Sequence, residues 1–486
     1  PVFDDGLLTV ALSPPLAAGQ ERTLTLKAHG RPERDFAYLD SVRNPFTEPS
    51  NNGPFFLLGY RPLIYQSGFV ALMPGGFWLP AGGAAVAAPG TGERPADPFR
   101  LTLKATIPDG WKVAGPGKRL GDGRTVSWAP TAPVDSVALV ASRFESRELD
   151  VDGTHFELLL HTTHAKQFEL LSIAKDELEK KLREKLAEMK KLGLSYPYDG
   201  LTLVEVPPTL RGYRGGWRLE SALGPSGMVL LRETGLPTAR FDVAVKRAQS
   251  QKDKEGGPGQ AVVESLRGFF NNDFSGGNLF SLVSRQAVAG QVAPVGRDAV
   301  ALDVLLQRTS GRLLFGASGF FSAHLYDKNV GQTINSSFGA LVGGGAEAGT
   351  FGDAVLKAAS SRPIVWDALT TTALSRLDPT ADPRRAFDAL VVKGEGMSRS
   401  LVDDLGATKT AAVLANLLNA KRGEQIVRSD LVAAATAAQA DVGGLLDTWI
   451  DGTGLAGFVA GPVRVARLKD GDGGAARYQV LFSLRN

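Results

Sequence analysis

The five histidines of this chain are His29, His155, His161, His164 and His324. Any metal chemistry has to start from them and from carboxylates, because the chain has no cysteine to supply a thiolate. Activation of water by a divalent ion takes three protein ligands around an open position. The shortest sequence solution is His-Glu-x-x-His on a helix. Its spacing puts both imidazoles on one face, and the glutamate takes the proton of the water. None of the five histidines stands in that pattern. His161 and His164, in HTTH, are the one close pair. They fall where a strand pattern gives way to a helical one, so a surface or capping role is expected. His324, in GFFSAHLYD, has no histidine beside it and reads as a residue of the surface or core edge. The expected metal-ligand set is therefore empty, and no cofactor is expected.

Other chemistries fare no better. The stretch GASGF around Ser318 departs from the G-x-S-x-G elbow at its fifth residue, and no strand-to-helix pattern of a hydrolase surrounds it. The glycines at 343–345 precede no Gly-Lys-Ser/Thr, so no phosphate loop is expected. Asp403 and Asp404 are neighbours on a helical pattern and so face apart rather than forming a dyad. The 54 basic and 51 acidic residues leave a net charge of +3 without a basic block, which argues against nucleic acid as a partner. No apolar run is long enough to span a bilayer; the best stretch, GFVALMPGGFWLPAGGAAVAA, is broken by glycine and proline. A start at Pro1 and an end just after the strand-like YQVLFSL read as a processed or excised piece of something larger.

The elements that must position any site follow from periodicity. Residues 1–150 carry short alternating or β-branched runs (LLTVAL, RTLTLKAH, FRLTLKATI, TVSWA, VALVASRFESREL) punctuated by turn residues, the pattern of an antiparallel β-sandwich. HFELLLHT is a further strand. One long amphipathic helix is expected from His164 to Gly193, with Leu178, Leu182, Leu186 and Met189 on one face and Glu177–Lys181 and Glu179–Arg183 pairs on the other. LTLVEVPP and SGMVLLRE are apolar strands, residues 248–259 a polar loop, and 260–455 mainly helices. Ser429 is placed to cap one of these. VRVARL and RYQVLFSL return to strand.

Five stretches, in order, resemble the M1 family of zinc aminopeptidases, a branch of the gluzincins. SYPYDGLTLVEVPP (195–208) is similar to the family segment that enters the central strand. ESALGPSGMVLLRE (220–233) is similar to the Gly-Ala-Met-Glu-Asn segment and its strand ending in Arg-Glu. GASGFFSAHLYD (316–327) resembles the Asn-Glu-Gly-Phe helix start, VVKGEGMSRSLVDDLG (391–406) the Tyr-x-Lys-Gly helix, and LLDTWIDGTGL (445–455) a helix end before the last β domain. The resemblance implies a multidomain α+β chain. A β-sandwich at 1–150 precedes an M1-like, thermolysin-like domain at 151–455, with a β-rich lobe at 151–247 and a helical lobe at 260–455. A C-terminal β segment follows at 456–486.

The resemblance also implies where the family chemistry should sit, and those positions are degenerate here. The amine-binding glutamate falls on Gly224, followed by Pro225 and Ser226. The third zinc ligand falls on Ser318, and the transition-state tyrosine on Val391, leaving Lys393 and Gly394 behind it. Spacing back from Ser318 puts the metal helix at Val295–Ala299, with Arg285–Ala289 as an alternative, and neither supplies an imidazole. Trp217, Arg232 and Glu233 are the candidates to line a remaining cleft; Trp78 reads as packing. The implied function is a non-enzymatic, peptidase-like module, extracytoplasmic in a bacterial envelope. Its expected partner is a peptide or protein, in a membrane complex of the kind in which M1-like domains are fused to ABC-type transporter permeases. The alternative is an active metallo-aminopeptidase or other hydrolase with a non-standard site.

Overall fold

In the computed structural model of the chain, residues 2–4, 7–32, 61, 63–76, 78–80, 98–211, 213–215, 218–250, 257–271, 279–316, 370–377, 383–454, 459–460, 463–470, 476–482 and 484–485 are described. They form a mixed α/β chain with several small sheets.

The first region holds a hairpin, β1 (Val2–Asp4) with β2 (Leu7–Thr9), and two antiparallel groups. One group joins β3 (Ile64–Tyr65), β4 (Phe69–Leu72), β8 (Leu139–Ser142) and β6 (Lys112–Ala114) in that order; the other pairs β5 (Leu103–Thr106) with β7 (Thr125–Trp128). Ile107, Val113, Val126, Trp128, Leu139 and Ala141 form their shared core. Residues 22–29, expected as a strand, join no sheet among the described residues.

The sheet that matters most for function has the order β14-β11-β10-β9. Strand β9 (Phe144–Val151) and β10 (Thr154–His161) are an antiparallel hairpin, and β10, β11 (Gly200–Val206) and β14 (Met228–Arg232) run parallel. The run VALVASRFESREL is thus split between two sheets, its second half opening this one. All five residues of β14 are buried, as expected of an apolar run in a parallel strand covered on both faces. One core joins this sheet to β4 and β8 through Ala71 and Val140, and to the helices through Phe241, Val262 and Leu282.

The helix expected from His164 to Gly193 is divided. A 3-10 turn covers Thr162–His164, α1 covers Gln167–Ser172 and α2 covers Lys175–Lys191, with Ala174 between them at φ −100°, ψ 4°. Ala174 is fully buried. The Ile173 carbonyl lies against Gly259, where an added Cβ would come within 2.9 Å of it. Close packing on the next helical layer therefore overrides local helix propensity. Gly193 ends α2 at φ +72°, as expected of a helix-closing glycine.

Helix α3 (Phe241–Ser250) and α4 (Pro258–Asn271) run into both ends of the expected polar loop. A proline at the first helical position is already set for the helix. Helix α5 (Leu279–Ala287) and α6 (Ala299–Phe315) follow, with the short β15 (Ala293–Pro294) between them. Helix α7 (Pro383–Lys421) is interrupted at Gly406, φ +75°. After β16 (Gln425–Ile426), α8 starts at Arg428 rather than capping on Ser429. The N-cap is instead Val427, whose N–H donates to Oδ2 of Asp430 in the first turn at 2.8 Å. Arg428 is anchored by Asp298 at 2.7 Å and Asp451 at 2.6 Å, which extends the helix by one residue. Strands β17 (Val459–Ala460) and β20 (Leu484–Arg485) pair, as do β18 (Arg464–Leu468) and β19 (Arg477–Leu481), whose residues are exposed.

Candidate functional site

The parallel strands bring two polar clusters into being. The first surrounds the loop that leads into β14. Ala222 through Gly227 are all buried. Leu230 N–H donates to Leu223 O at 2.8 Å, so the loop satisfies an edge group of β14 itself. A Cβ on Gly224 would lie 2.9 Å from Leu282 Cβ on α5. Gly227, at φ +70°, sits against the backbone of Gly117, whose nitrogen would be 2.2 Å from an added Cβ. Only glycine permits both the dihedral and that approach.

Side chains lock this loop from below. Gln286 Nε2 donates to Pro225 O (2.9 Å) and Met228 O (2.7 Å), and Tyr196 OH donates to Gln286 Oε1 (2.8 Å). Ser226 Oγ donates to Asp135 Oδ1 at 2.7 Å and accepts from Asp135 N–H at 3.2 Å. Arg285 Nη1 donates to Asp135 Oδ2 at 3.1 Å, and both side chains are buried. Gln291 Nε2 donates to the Tyr198 hydroxyl at 3.0 Å. Burial raises the Tyr196 phenol well above its ordinary value, and burial together with the Asp135 charge does the same to Tyr198. Hydrogen bonds and opposite charges tie these buried groups to one another.

The metal implied by the resemblance does not fit the described residues at the positions expected to hold it. Val295 N–H donates to Ile426 O at 2.9 Å, Gly296 turns at φ +81°, and α6 begins only at Ala299. Val295–Ala299 is therefore a strand end and turn without an imidazole, and its carboxylate, Asp298, is already paired with Arg428 at 2.7 Å. In the alternative register, Arg285 is a guanidinium already paired to Asp135, and Ala289 is a buried methyl. Guanidinium is cationic and offers no lone pair to an ion. Lys393 is buried and donates to Thr372 O (3.0 Å) and Gly452 O (2.9 Å); burial depresses its pKa. A Cβ on the adjoining Gly394 would come within 2.3 Å of Val304 Cγ1, so α7 and α6 touch there. Lys393 and Gly394 hold the helices together. Ser318, His324 and Trp217 lie outside the described residues, as does the side chain of Val391.

The second cluster lies at the carboxyl ends of β10, β11 and β14 and is open to solvent. Arg232 and Glu233, both candidates for a cleft, part ways here. Arg232 is buried, its guanidinium donating to Pro208 O (3.0 Å) and Leu210 O (2.6 Å). Glu233 stands at the rim with its side chain 43% exposed. Facing it is His164, delivered by the 3-10 turn after β10, with Nε2 3.9 Å from Glu233 Oε1. His164 Nδ1 meets Glu205 Oε1 of β11 at 2.6 Å. Glu205 is buried, and its Oε2 accepts from His161 N–H at 2.9 Å. His161 itself accepts from Thr163 N–H at 3.4 Å, an N-capping role. His164, Glu205 and Glu233 each bring a ligand-type atom within 4.8 Å of the others. The sequence offered His164 only as half of HTTH; its carboxylate partners come from other strands.

By sequence, the chain matches no protein-family model and no characterised protein. Solved structures that are similar to it include the M1 zinc metallopeptidase from Deinococcus radiodurans. That enzyme is 13% identical with a TM-score of 0.43, over 82% of this chain and 74% of that one. A single-site mutant of the same enzyme gives 12% identity and a TM-score of 0.46 over the same shares. That mutant bound to a Tyr-Ser-Ala substrate gives 12% and 0.40 over 85% and 74%.

Proposed function

We propose that this chain is an M1-like pseudopeptidase: a peptidase-type scaffold that binds a peptide or protein partner and does not hydrolyse it. The observation that carries this reading is the loop Ala222–Gly227. The resemblance of GPSGMVLLRE to the family strand makes Gly224 the position that should offer a carboxylate to a substrate ammonium. Here it bears no side chain, has Leu282 packed over it, and belongs to a wholly buried segment. An ammonium is recognised by a charge-assisted bond to an exposed acceptor, and nothing of that kind is presented by this loop. The absence of His-Glu-x-x-His from the sequence supports the same reading.

The setting belongs to the same proposal. The scaffold works outside the cytoplasm, in a bacterial envelope, docked to a membrane complex of the ABC-transporter type. The lack of cysteine is compatible with that compartment. Among the described residues no helix is long and apolar enough to cross a membrane.

The test is an assay of the purified chain, supplied with ZnCl2, against a panel of aminoacyl-coumarin and tripeptide substrates. No turnover above buffer is expected. Zinc-dependent release of an amino-terminal residue would remove the proposal and establish an enzyme with a non-standard site.

A further inference from the structure

The corner at the ends of β10, β11 and β14 contains an unusual opposition. A carboxylate oxygen of Glu205 is 2.6 Å from His164 Nδ1. That contact puts the ring proton on Nδ1. His164 Nε2, the other ring nitrogen, points across 3.9 Å at Glu233 Oε1. A gap of this length is too wide for a hydrogen bond. An imidazole nitrogen and two carboxylates that bring ligand-type atoms within 4.8 Å of one another are the geometry of a cation site.

We propose that His164 and Glu233 bind a divalent cation, zinc being the best match, and that Glu205 positions the imidazole. Zinc takes nitrogen and carboxylate oxygen at about 2.0–2.2 Å, which sets donors about 3.3 Å apart in tetrahedral coordination. The present 3.9 Å closes to that by a small movement of Glu233, a half-exposed side chain at the rim. A ligating imidazole commonly donates its other N–H to a carboxylate, which fixes tautomer and ring orientation. Glu205 does this while its own second oxygen is tied to His161 N–H at 2.9 Å, so the ligand is preorganised from inside the sheet. The remaining positions face solvent and belong to water or to a donor from a bound partner.

The site is independent of the absent family centre. None of its residues lies at a position where the M1 resemblance expects a ligand, and zinc bound here requires no peptidase activity.

The experiment is calorimetric titration of ZnCl2 into the EDTA-treated full chain, with variants His164→Ala, Glu233→Gln and Glu205→Gln. Wild type is expected to bind one equivalent. Glu233→Gln, at the rim, leaves the thermal melt of the metal-free chain unchanged and weakens binding at least tenfold. His164→Ala removes the high-affinity phase. Glu205→Gln weakens binding by about 10–100-fold, the loss seen when an outer partner of a ligating histidine is altered. Co²⁺ substitution should give a visible absorption band that Glu233→Gln shifts. Absence of binding to wild type would overturn the proposal, as would wild-type affinity in Glu233→Gln together with His164→Ala. Zinc bound without turnover sustains both this site and the non-enzymatic reading. Turnover that Glu233→Gln abolishes would keep the site and discard the non-enzymatic reading.

Discussion

Two polar clusters grow from the same sheet and meet opposite fates. Around Asp135, the loop before β14, Arg285, Ser226 and their neighbours are buried and tied together by hydrogen bonds and an ion pair. Around Glu205, the carboxylate is equally buried, but its histidine looks outward at an exposed glutamate. Burial alone does not distinguish them. What differs is the group at the end of the chain of contacts. The Asp135 cluster ends on a buried guanidinium; the Glu205 cluster ends on a half-exposed carboxylate 3.9 Å from His164 Nε2. A closed network can only rigidify the fold, whereas an open one can take up an ion.

The sharpest break of this contrast is Arg285→Ala. Removing the cation leaves the Asp135 carboxylate buried against the neutral hydroxyls of Ser136 and Ser226, and a loss of about 3–5 kcal/mol is expected, read by urea unfolding. A loss below about 1 kcal/mol would mean that water reaches the cluster and that it is not closed. Gly224→Glu, which restores the family carboxylate, forces a side chain into Leu282 and should cost about 2–4 kcal/mol, without producing aminopeptidase activity. A stable, active Gly224→Glu chain would mean the loop can swing out.

Titration of the tyrosines separates the clusters by pH. Tyr196 and Tyr198 have phenols raised above the ordinary 10.0 by burial. Below pH 10 both are protonated whether folded or not, so their contribution is fully present. As pH climbs above 10 the unfolded phenol ionises first and stability falls. Tyr198→Phe should relieve part of that alkaline loss, while costing about 1 kcal/mol at neutral pH for the bond from Gln291. An ultraviolet titration in which all eight tyrosines ionise together near pH 10, in the folded chain, would contradict a sealed network. The smallest stability effect is expected at the open corner: Glu233→Gln should change the metal-free melt by less than about 0.5 kcal/mol, although it governs ion binding.

Much of this contrast was legible before any coordinates, but unevenly. GLTLVEV and MVLLR read as strands because their apolar runs are short, and they fold as β11 and β14. VVESLRGFF and AVALDVLLQRT read as helices from their 3.6-residue period and fold within α4 and α6. The break at Ala174 was not legible, because its cause is contact with Gly259 on another helix rather than any local breaker. Ser429 was misplaced as a cap because Arg428 is held by aspartates distant in sequence.

The sequence by itself determined what the chain lacks. Five histidines without His-Glu-x-x-His, and a glycine at position 224, follow from residue types alone. It also determined which segments alternate and which wind, since those depend on neighbours along the chain. Only tertiary structure decided that Gly224 is covered by Leu282, that Arg285 neutralises Asp135, and that His164, Glu205 and Glu233 converge. Parallel register is the physical reason. Strands β10, β11 and β14 are joined through long crossovers, so residues at their carboxyl ends become neighbours although tens of residues separate them in the chain.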